Sequence, residues 1–274
     1  MMPSIDTPLP AMRLNMVPAR TGLLWVKQGL RTFFKQPLAL SGLFLMFIIT
    51  VSLGSLIPYL GNVLALAVLP AATLGLMAAT REAEQGKFPM PLILISAFRA
   101  GKQQSRAMWV LGGIYALGFL AVLGMSALLD GGQFARLYLV GGNLSPEMIQ
   151  SAEFQLALYV AMAVYLPLSL LFWHAPALVH WHGISPLKSL FFSAVDCLKN
   201  FGAMTVFSLT WLGLFLGVGF MLIMVSALLG QPELMGVMML PTIMLLGSMF
   251  FTSIYFTFRD SFSIADEVSP EGNA

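Results

Sequence analysis

The chain has very few charged residues. Only 9% of its 274 residues are Asp, Glu, Lys or Arg, whereas about 25% is usual for a soluble protein. Hydrophobic residues make up 58% of the chain, which is more apolar surface than a soluble fold of this length can hide from water. The composition therefore excludes an ordinary soluble domain and predicts a protein that lies mostly in lipid.

Cysteine, histidine and excess positive charge are also scarce. The single cysteine, Cys197, excludes an intramolecular disulfide and any cage built from several thiolates. The chain has only three histidines, and we predict neither a metal site nor a cofactor. A net charge of +2 excludes a nucleic-acid binder, which needs many basic side chains on one face.

Motifs of known enzyme classes are missing as well. The sequence has no phosphate-binding Walker loop, no Gly-x-Ser-x-Gly and no His-Glu-x-x-His. Its uncharged stretches contain no carboxylate pair that could serve acid–base chemistry. We therefore predict that the protein is not an enzyme and has no catalytic residue.

What the sequence does have is long uncharged stretches. A helix needs about 20 mostly apolar residues to cross a bilayer. The longest stretch, 36–80, is divided by the turn-forming residues Pro58, Gly61 and Asn62. The predicted fold is an all-α polytopic membrane protein with six transmembrane helices, at 38–58, 62–80, 107–129, 154–178, 202–229 and 235–257.

The basic residues fall on one side of these spans. Of the 14 Lys and Arg, all but Arg136 lie in the tails and connections of one face, which predicts that both termini are cytoplasmic. The expected organisation is an N-terminal tail (1–22), one transmembrane domain (23–258) with a periplasmic loop (130–153), and a cytoplasmic C-terminal tail (259–274). In the loop, Ser145-Pro146-Glu147 is typical of a helix start, and we expect that helix to continue into the fourth span.

An internal repeat organises the spans. Residues 86–103 align with 183–200 without a gap, and Lys35, Lys102 and Lys199 occupy equivalent positions. Each of these lysines is followed by two spans, and the second span contains the dipeptide Leu-Pro, at Pro70, Pro167 and Pro241. We predict three parallel repeats, about 23–80, 86–180 and 183–258, each made of a short amphipathic helix and two spans.

The short helices should lie at the membrane surface, apolar face down. The segments 23–35 and 186–200 have apolar residues at helical spacing, flanked by lysines. We interpret them mainly as elbows that orient the next span. The alternative is recognition of anionic lipid headgroups, with Lys35, Lys102, Lys188 and Lys199 as the candidate contacts.

The prolines and the small residues inside the spans each allow two interpretations of their role. Pro70, Pro167 and Pro241 each free a backbone carbonyl, which fits either helix packing or a functional hinge or pathway. Small residues four apart, Ala71-Gly75-Ala79 and Gly213-Gly217, allow close helix approach. They indicate packing within the bundle or in a homodimer.

His174 is the one ionisable side chain well inside a predicted span. Such a group is a functional candidate by default, as part of a pathway for protons or as a metal ligand. However, His180 and His182 are not at the helical spacing of metal ligands, and Asp196 is the only carboxylate nearby in sequence. We favour an interfacial belt formed by the histidines with Trp173 and Trp181.

The sequence resembles an uncharacterised family of proteobacterial inner-membrane proteins over residues 12–262. The similarity is carried by VPAR (17–20), FKQPLAL (34–40), LP (69–70), MAA (77–79), FWHAPALV (172–179) and SLFFS (189–193). The elbow-and-hairpin layout is more distantly similar to YciC-like proteins and to the membrane domain attached to some glycerophosphodiesterases. The resemblance implies location in the bacterial inner membrane and the layout of spans, but no catalytic residue.

Two functions are favoured by the sequence, and a lipid-modifying enzyme is a third and less favoured reading. The first is a non-enzymatic membrane protein that transports or accommodates a small or lipidic molecule. The alternative is a membrane scaffold or assembly factor that acts through protein partners or as a homo-oligomer. A polar or water-accessible cavity between the three hairpins would favour the first, and a closed apolar bundle the second.

Overall fold

The computed structural model describes residues 12–57 and 60–264, and these are overwhelmingly helical. In chain order the elements are β1 (Met12–Leu14), α1 (Thr21–Lys35), α2 (Pro37–Gly54), α3 (Leu60–Glu84), a 3₁₀ turn (Pro91–Ile95), α4 (Ser96–Arg99), α5 (Lys102–Asp130), α6 (Gln133–Val140), α7 (Pro146–Gln150), α8 (Ala152–Phe172), α9 (Ala175–His182), α10 (Pro186–Lys199), α11 (Phe201–Leu228), α12 (Pro232–Ser261) and β2 (Phe262–Ile264).

Six of these helices are long and apolar enough to cross a membrane, as the sequence predicts. They are α2, α3, α5, α8 with its continuation α9, α11 and α12. The turn between α2 and α3 includes Pro58 and Tyr59, which lie outside the described residues. Several helices extend past the predicted spans: α5 begins at Lys102 and α12 continues through Arg259. Lys102 is exposed at the start of α5, where a long side chain can place its charge at the polar boundary. The guanidinium of Arg259 instead pairs with Glu84 and Asp260 and donates to Gln28 Oε1, so its charge is balanced within the protein.

A short segment precedes each pair of spans. Before the first and third pairs it is a regular helix, α1 or α10, whereas before the second it is the 3₁₀ turn followed by the four-residue α4. Each segment packs against the second span of the preceding pair: the 3₁₀ turn and α4 on α3, α10 on α8, and α1 on α12. The contact of α1 with the last span closes the bundle.

The packing of α1 differs from the expected surface helix. Trp25, Val26 and Phe33 are buried inside the protein, whereas Leu23 and Phe34 are exposed. Gly29 makes this possible, because a Cβ there would lie 2.6 Å from the Cα of Ser253 in α12. The apolar face of α1 is therefore used largely for helix packing, and the close approach depends on a residue without a side chain.

The two ends of the described chain meet at the end of the bundle that carries α1, α4 and α10, which we call the elbow end. β1 and β2 pair antiparallel, with Arg13 opposite Ser263. The amide of Asn15 donates to the carbonyl of Ser261 at 2.8 Å. This small sheet ties the start of α1 to the end of α12.

The segment 130–153, at the opposite end, contains two short helices. Ser145 caps α7, accepting from the backbone N–H of Met148, with Pro146 in the first turn. The expected continuation into the fourth span is wrong. Ser151 adopts an extended conformation and caps a new helix, α8, through the N–H of Phe154, because a serine at this position satisfies the free amides of a fresh helix start.

Candidate functional site

The fourth span is interrupted at Trp173 and His174. Pro176 lies in the first turn of α9 and cannot donate to the preceding turn. The backbone N–H of His174 donates instead to Ser193 Oγ at 2.9 Å, and Ser193 Oγ donates to the carbonyl of Leu170 at 2.8 Å. Helix α10 thus supplies the hydrogen bonds that the break in the span leaves open.

Helix α10 also brings two potential ligand atoms to His174. Asp196 Oδ2 lies 2.9 Å from His174 Nδ1, and both side chains are fully buried. The Sγ of Cys197 is next to them, so that one atom from each of the three residues lies within 4.8 Å of the others. Burial and the neighbouring Asp196 raise the pKa of the Cys197 thiol, which donates to the carbonyl of Leu170 at 3.8 Å.

The other side of the imidazole contacts the sixth span. His174 Nε2 lies 3.0 Å from Thr257 Oγ1. That hydroxyl donates its proton to the carbonyl of Ile254 and accepts from Trp173 Nε1. Because Thr257 has one hydroxyl proton, an Oγ1 that donates to Ile254 pairs with the His174 tautomer that has its proton on Nε2.

The second carboxylate oxygen of Asp196 is held by Asn200. Asn200 Nδ2 donates to Asp196 Oδ1 at 2.8 Å and to the carbonyl of Asn15 at 3.0 Å. Its Oδ1 accepts from the amide of Val17. One buried amide side chain therefore connects the His174 cluster to the segment that precedes α1.

The order Thr257–His174–Asp196 is reminiscent of a hydrolase triad, but its geometry does not suit nucleophilic attack. The Thr257 hydroxyl donates to a backbone carbonyl and accepts from two side chains. Thr257 is also fully buried, so its oxygen presents no face to a substrate. In this arrangement the three residues join the fourth span, α10 and the sixth span.

The expected interfacial belt is wrong for His174. The side chain has no exposed surface, because α10 and α12 cover it on both sides. Trp181 lies nearer the surface, where Arg81 is placed over its ring at 5.6 Å from the centroid. The spacing of residues along one helix does not reveal the cluster, because its ligand atoms come from the break in the fourth span and from α10. The carboxylate noted near His174 in sequence, Asp196, was the useful signal.

A partly open cavity of about 160 Å³ lies between the three hairpins. Spans from each pair contribute to its wall: α3, α5, α8 and α12. The wall is mainly aromatic and aliphatic, with hydroxyl groups from Thr73, Tyr115, Tyr165 and Ser169. Thr73 and Ser169 donate to carbonyls of their own helices, which leaves few free polar groups. The described residues of the wall include no charged side chain.

The three prolines have different surroundings. All of them lie inside continuous helices. Pro70 is buried and lines the cavity, whereas Pro167 and Pro241 are exposed on the outside of the bundle. Only Pro70 is therefore brought to the cavity, and the equivalence of the three positions in sequence does not extend to their environment.

The candidate headgroup lysines lie at the elbow end. Lys35 and Lys199 are the last residues of α1 and α10, and Lys102 is the first residue of α5. These three and Lys188 are exposed. Lys35 donates to the carbonyl of Glu84. Contact of these lysines with lipid headgroups stays a prediction.

The two stripes of small residues also differ in what they pack against. Gly75 packs against the backbone of Leu94, since a Cβ there would lie 2.7 Å from the Leu94 Cα. This stripe serves packing within the bundle, as expected. Gly213 and Gly217 have no described atom within 4 Å of such a Cβ, so packing within the bundle is wrong for them and the homodimer reading stays a prediction.

Comparison with known proteins identifies the family. The chain is 38% identical over 263 residues to the probable inner membrane protein BTH_II0599 of Burkholderia thailandensis, and the match covers 95% of this chain and 97% of that protein. The chain therefore belongs to this family of inner-membrane proteins, and its six apolar helices fit an integral membrane protein. No family model and no solved structure matches the chain.

Proposed function

We propose that this protein is a non-enzymatic inner-membrane protein that accommodates the apolar part of a lipidic molecule between its three hairpins. The observation that carries the proposal is the cavity whose wall is formed by spans of all three pairs and contains no charged side chain. An uncharged wall favours an acyl chain over a polar solute, because a polar solute would lose its hydration without gaining partners. Tyr115 and Tyr165 offer hydroxyl groups at the same wall.

A lipid carrying a photoreactive group in its acyl chain tests this proposal. We expect crosslinks to peptides that contain Tyr115, Tyr165 or Phe250, and we expect the variant Ser169→Phe, which fills the cavity, to reduce them several-fold. The matched control is Leu209→Phe, which adds a ring on the exposed face of α11. Labelling spread evenly over the exposed faces of the spans, and unchanged by Ser169→Phe, would show that the cavity is not a lipid site.

The orientation and the repeat belong to the same proposal. The distribution of basic residues supports a cytoplasmic elbow end with both termini inside. The packing of each short segment against the preceding pair supports three parallel repeats. An impermeant maleimide applied to whole spheroplasts tests the orientation: Leu144→Cys in the outer loop should react, and Leu187→Cys on α10 should react only after the membrane is opened. The reverse pattern would contradict it.

A scaffold or homo-oligomer is the second candidate. It is favoured by the exposed stripe of Gly213 and Gly217, which has no partner among the described residues, since such stripes allow helices to approach closely. Crosslinking in native membranes tests it, with Gly217→Leu expected to abolish a specific dimer. A monomer at all expression levels would count against this candidate.

A further inference from the structure

The buried cluster of His174, Asp196 and Cys197 has more ligand atoms than its hydrogen bonds use. His174 Nδ1 and Asp196 Oδ2 are buried and have no hydrogen-bond partner among the residues that the structure describes, although they lie 2.9 Å apart. The contact is close but not aligned as a hydrogen bond. Two buried polar atoms without hydrogen-bond partners are costly, and a cation held beside both would satisfy them together.

We propose that His174 Nδ1, Asp196 Oδ2 and Cys197 Sγ bind a divalent transition-metal ion of the zinc class. Imidazole nitrogen, thiolate and carboxylate are the ligands that zinc takes in proteins. The three atoms already lie within 4.8 Å of one another. Tetrahedral zinc bonds of about 2.0–2.3 Å place ligand atoms roughly 3.3–3.8 Å apart, so small side-chain rotations complete the site.

Charge balance favours a divalent ion at this place. Binding replaces water ligands of the hydrated ion by Nδ1, Oδ2 and Sγ and passes the thiol proton to water, which leaves one thiolate, one carboxylate and a neutral imidazole around the ion. The sum of these charges is zero, so the loaded cluster carries no net charge into a fully buried environment. The carbonyl of Leu170, 3.8 Å from Sγ, is a further oxygen beside the cluster.

Hydrogen bonds from neighbouring residues hold the two ligand side chains, as is usual around metal sites in proteins. The Nε2–H of His174 donates to Thr257, which leaves the Nδ1 lone pair free for an ion. Asn200 fixes the other carboxylate oxygen of Asp196. Such outer contacts orient the ligands, and their loss typically lowers metal affinity about 10–100-fold. Thr257 and Asn200 are therefore positioning residues.

Cobalt(II) tests the site in the full-length protein, purified in detergent with a tag that contains no histidine. Because the chain has one cysteine, a thiolate-to-cobalt absorption band can come only from Cys197. We expect this band with the wild type, one metal ion per chain, and loss of the band in Cys197→Ser. Asp196→Asn should weaken binding at least about tenfold, as should Thr257→Val. The matched control is His182→Gln, which changes a histidine outside the cluster and should bind as the wild type does.

A second measurement needs no variant. The melting temperature of the wild type should rise with added zinc and return when a chelator removes it, because an ion that binds only the folded state stabilises it. An absent thiolate band together with an unchanged melting temperature would overturn the proposal. Metal retained equally by Cys197→Ser and the wild type would overturn it too. Lipid binding in the cavity does not enter either measurement.

Discussion

The two halves of the third pair of spans differ sharply in packing. At the elbow end, Phe207 and Trp211 of α11 and the stretch from Thr252 to Phe258 of α12 are buried. At the other end, residues 212–225 of α11 and 233–247 of α12 include no buried side chain. The elbow half also contains most of the hydroxyl side chains of the pair, such as Ser253 and Thr257, whereas the far half is more uniformly apolar.

The difference follows from what each half packs against. The elbow half faces α1, which is inserted along α11 and α12 at Gly22 and Gly29, and it carries Thr257 of the His174 cluster. The far half touches α2 where Gly247 meets Phe44, but it has no inserted helix beside it among the described residues and turns apolar side chains such as Leu216 and Leu240 outwards. In a bilayer those side chains need only lipid. We infer that stability is concentrated at the elbow end.

The largest loss of stability is expected when one glycine is replaced in the elbow half, and the matched change replaces one glycine in the far half. Gly29→Leu should force α1 from α12, since a Cβ would lie 2.4 Å from the Ser253 Cβ, and should cost about 3 kcal/mol or more. Gly217→Leu, which meets no described atom within 4 Å, should change stability by less than about 0.5 kcal/mol. Thermal unfolding in detergent measures both. Equal effects would mean that the halves contribute alike.

The next test removes a buried carboxylate from the elbow end. Asp196→Ala removes the carboxylate beside His174 Nδ1 and leaves one donor of the Asn200 amide without its acceptor, and should cost about 1–3 kcal/mol. Glu153→Ala, exposed in the first turn of α8 at the far end, is the matched control and should lower the melting temperature little. If the two substitutions proved equally mild, the cluster would not be a stabilising centre.

Thiol reactivity compares buried and exposed faces of one elbow helix. Burial raises the pKa of the Cys197 thiol, so less thiolate is present at neutral pH and alkylation should be slow, speeding up only as the pH rises. In metal-free detergent we expect Cys197 to react at least about tenfold more slowly than a cysteine placed at Leu187, which is 72% exposed on the same helix. Labelling rates by mass spectrometry decide this, and comparable rates would contradict the burial of Cys197.

The smallest expected effect concerns one hydrogen bond. Trp211 Nε1 donates to Ser253 Oγ at 3.0 Å in the buried elbow half, and Trp211→Phe should cost about 1 kcal/mol because it removes this bond and keeps a ring. Leu216→Ala, one turn further into the exposed half, should be nearly neutral. A larger loss for Leu216→Ala than for Trp211→Phe would indicate that a partner covers the far half.

Much of the fold could be read from local sequence. The six spans follow from apolar stretches of sufficient length, and the Ser145 cap follows from a three-residue pattern. The break at Trp173 could not be placed, because an apolar run with Pro176 allows either a kinked span or a new helix until the bonds from Ser193 are known. The packing of α1 against α11 and α12 could not be predicted either, because the hydropathy of Gly22 and Gly29 does not indicate a close helix contact.

The candidate site was read only in part. His174 was singled out because an ionisable group inside a span is costly, but its partners lie on α10 and α12. Pro70, Pro167 and Pro241 looked equivalent, and only the first lines the cavity. Contacts of this kind depend on how helices distant in sequence are arranged, which residue spacing within one helix does not encode.

By itself, the sequence determined that this is an all-α membrane protein with six spans, because transfer of apolar side chains into lipid is a local property summed over about 20 residues. The tertiary structure alone decided which faces are buried, where the cavity opens, and that Asp196 and Cys197 meet His174. Those features depend on close packing between helices, and an apolar side chain is suited both to lipid exposure and to burial against another helix. Only contact geometry separates them.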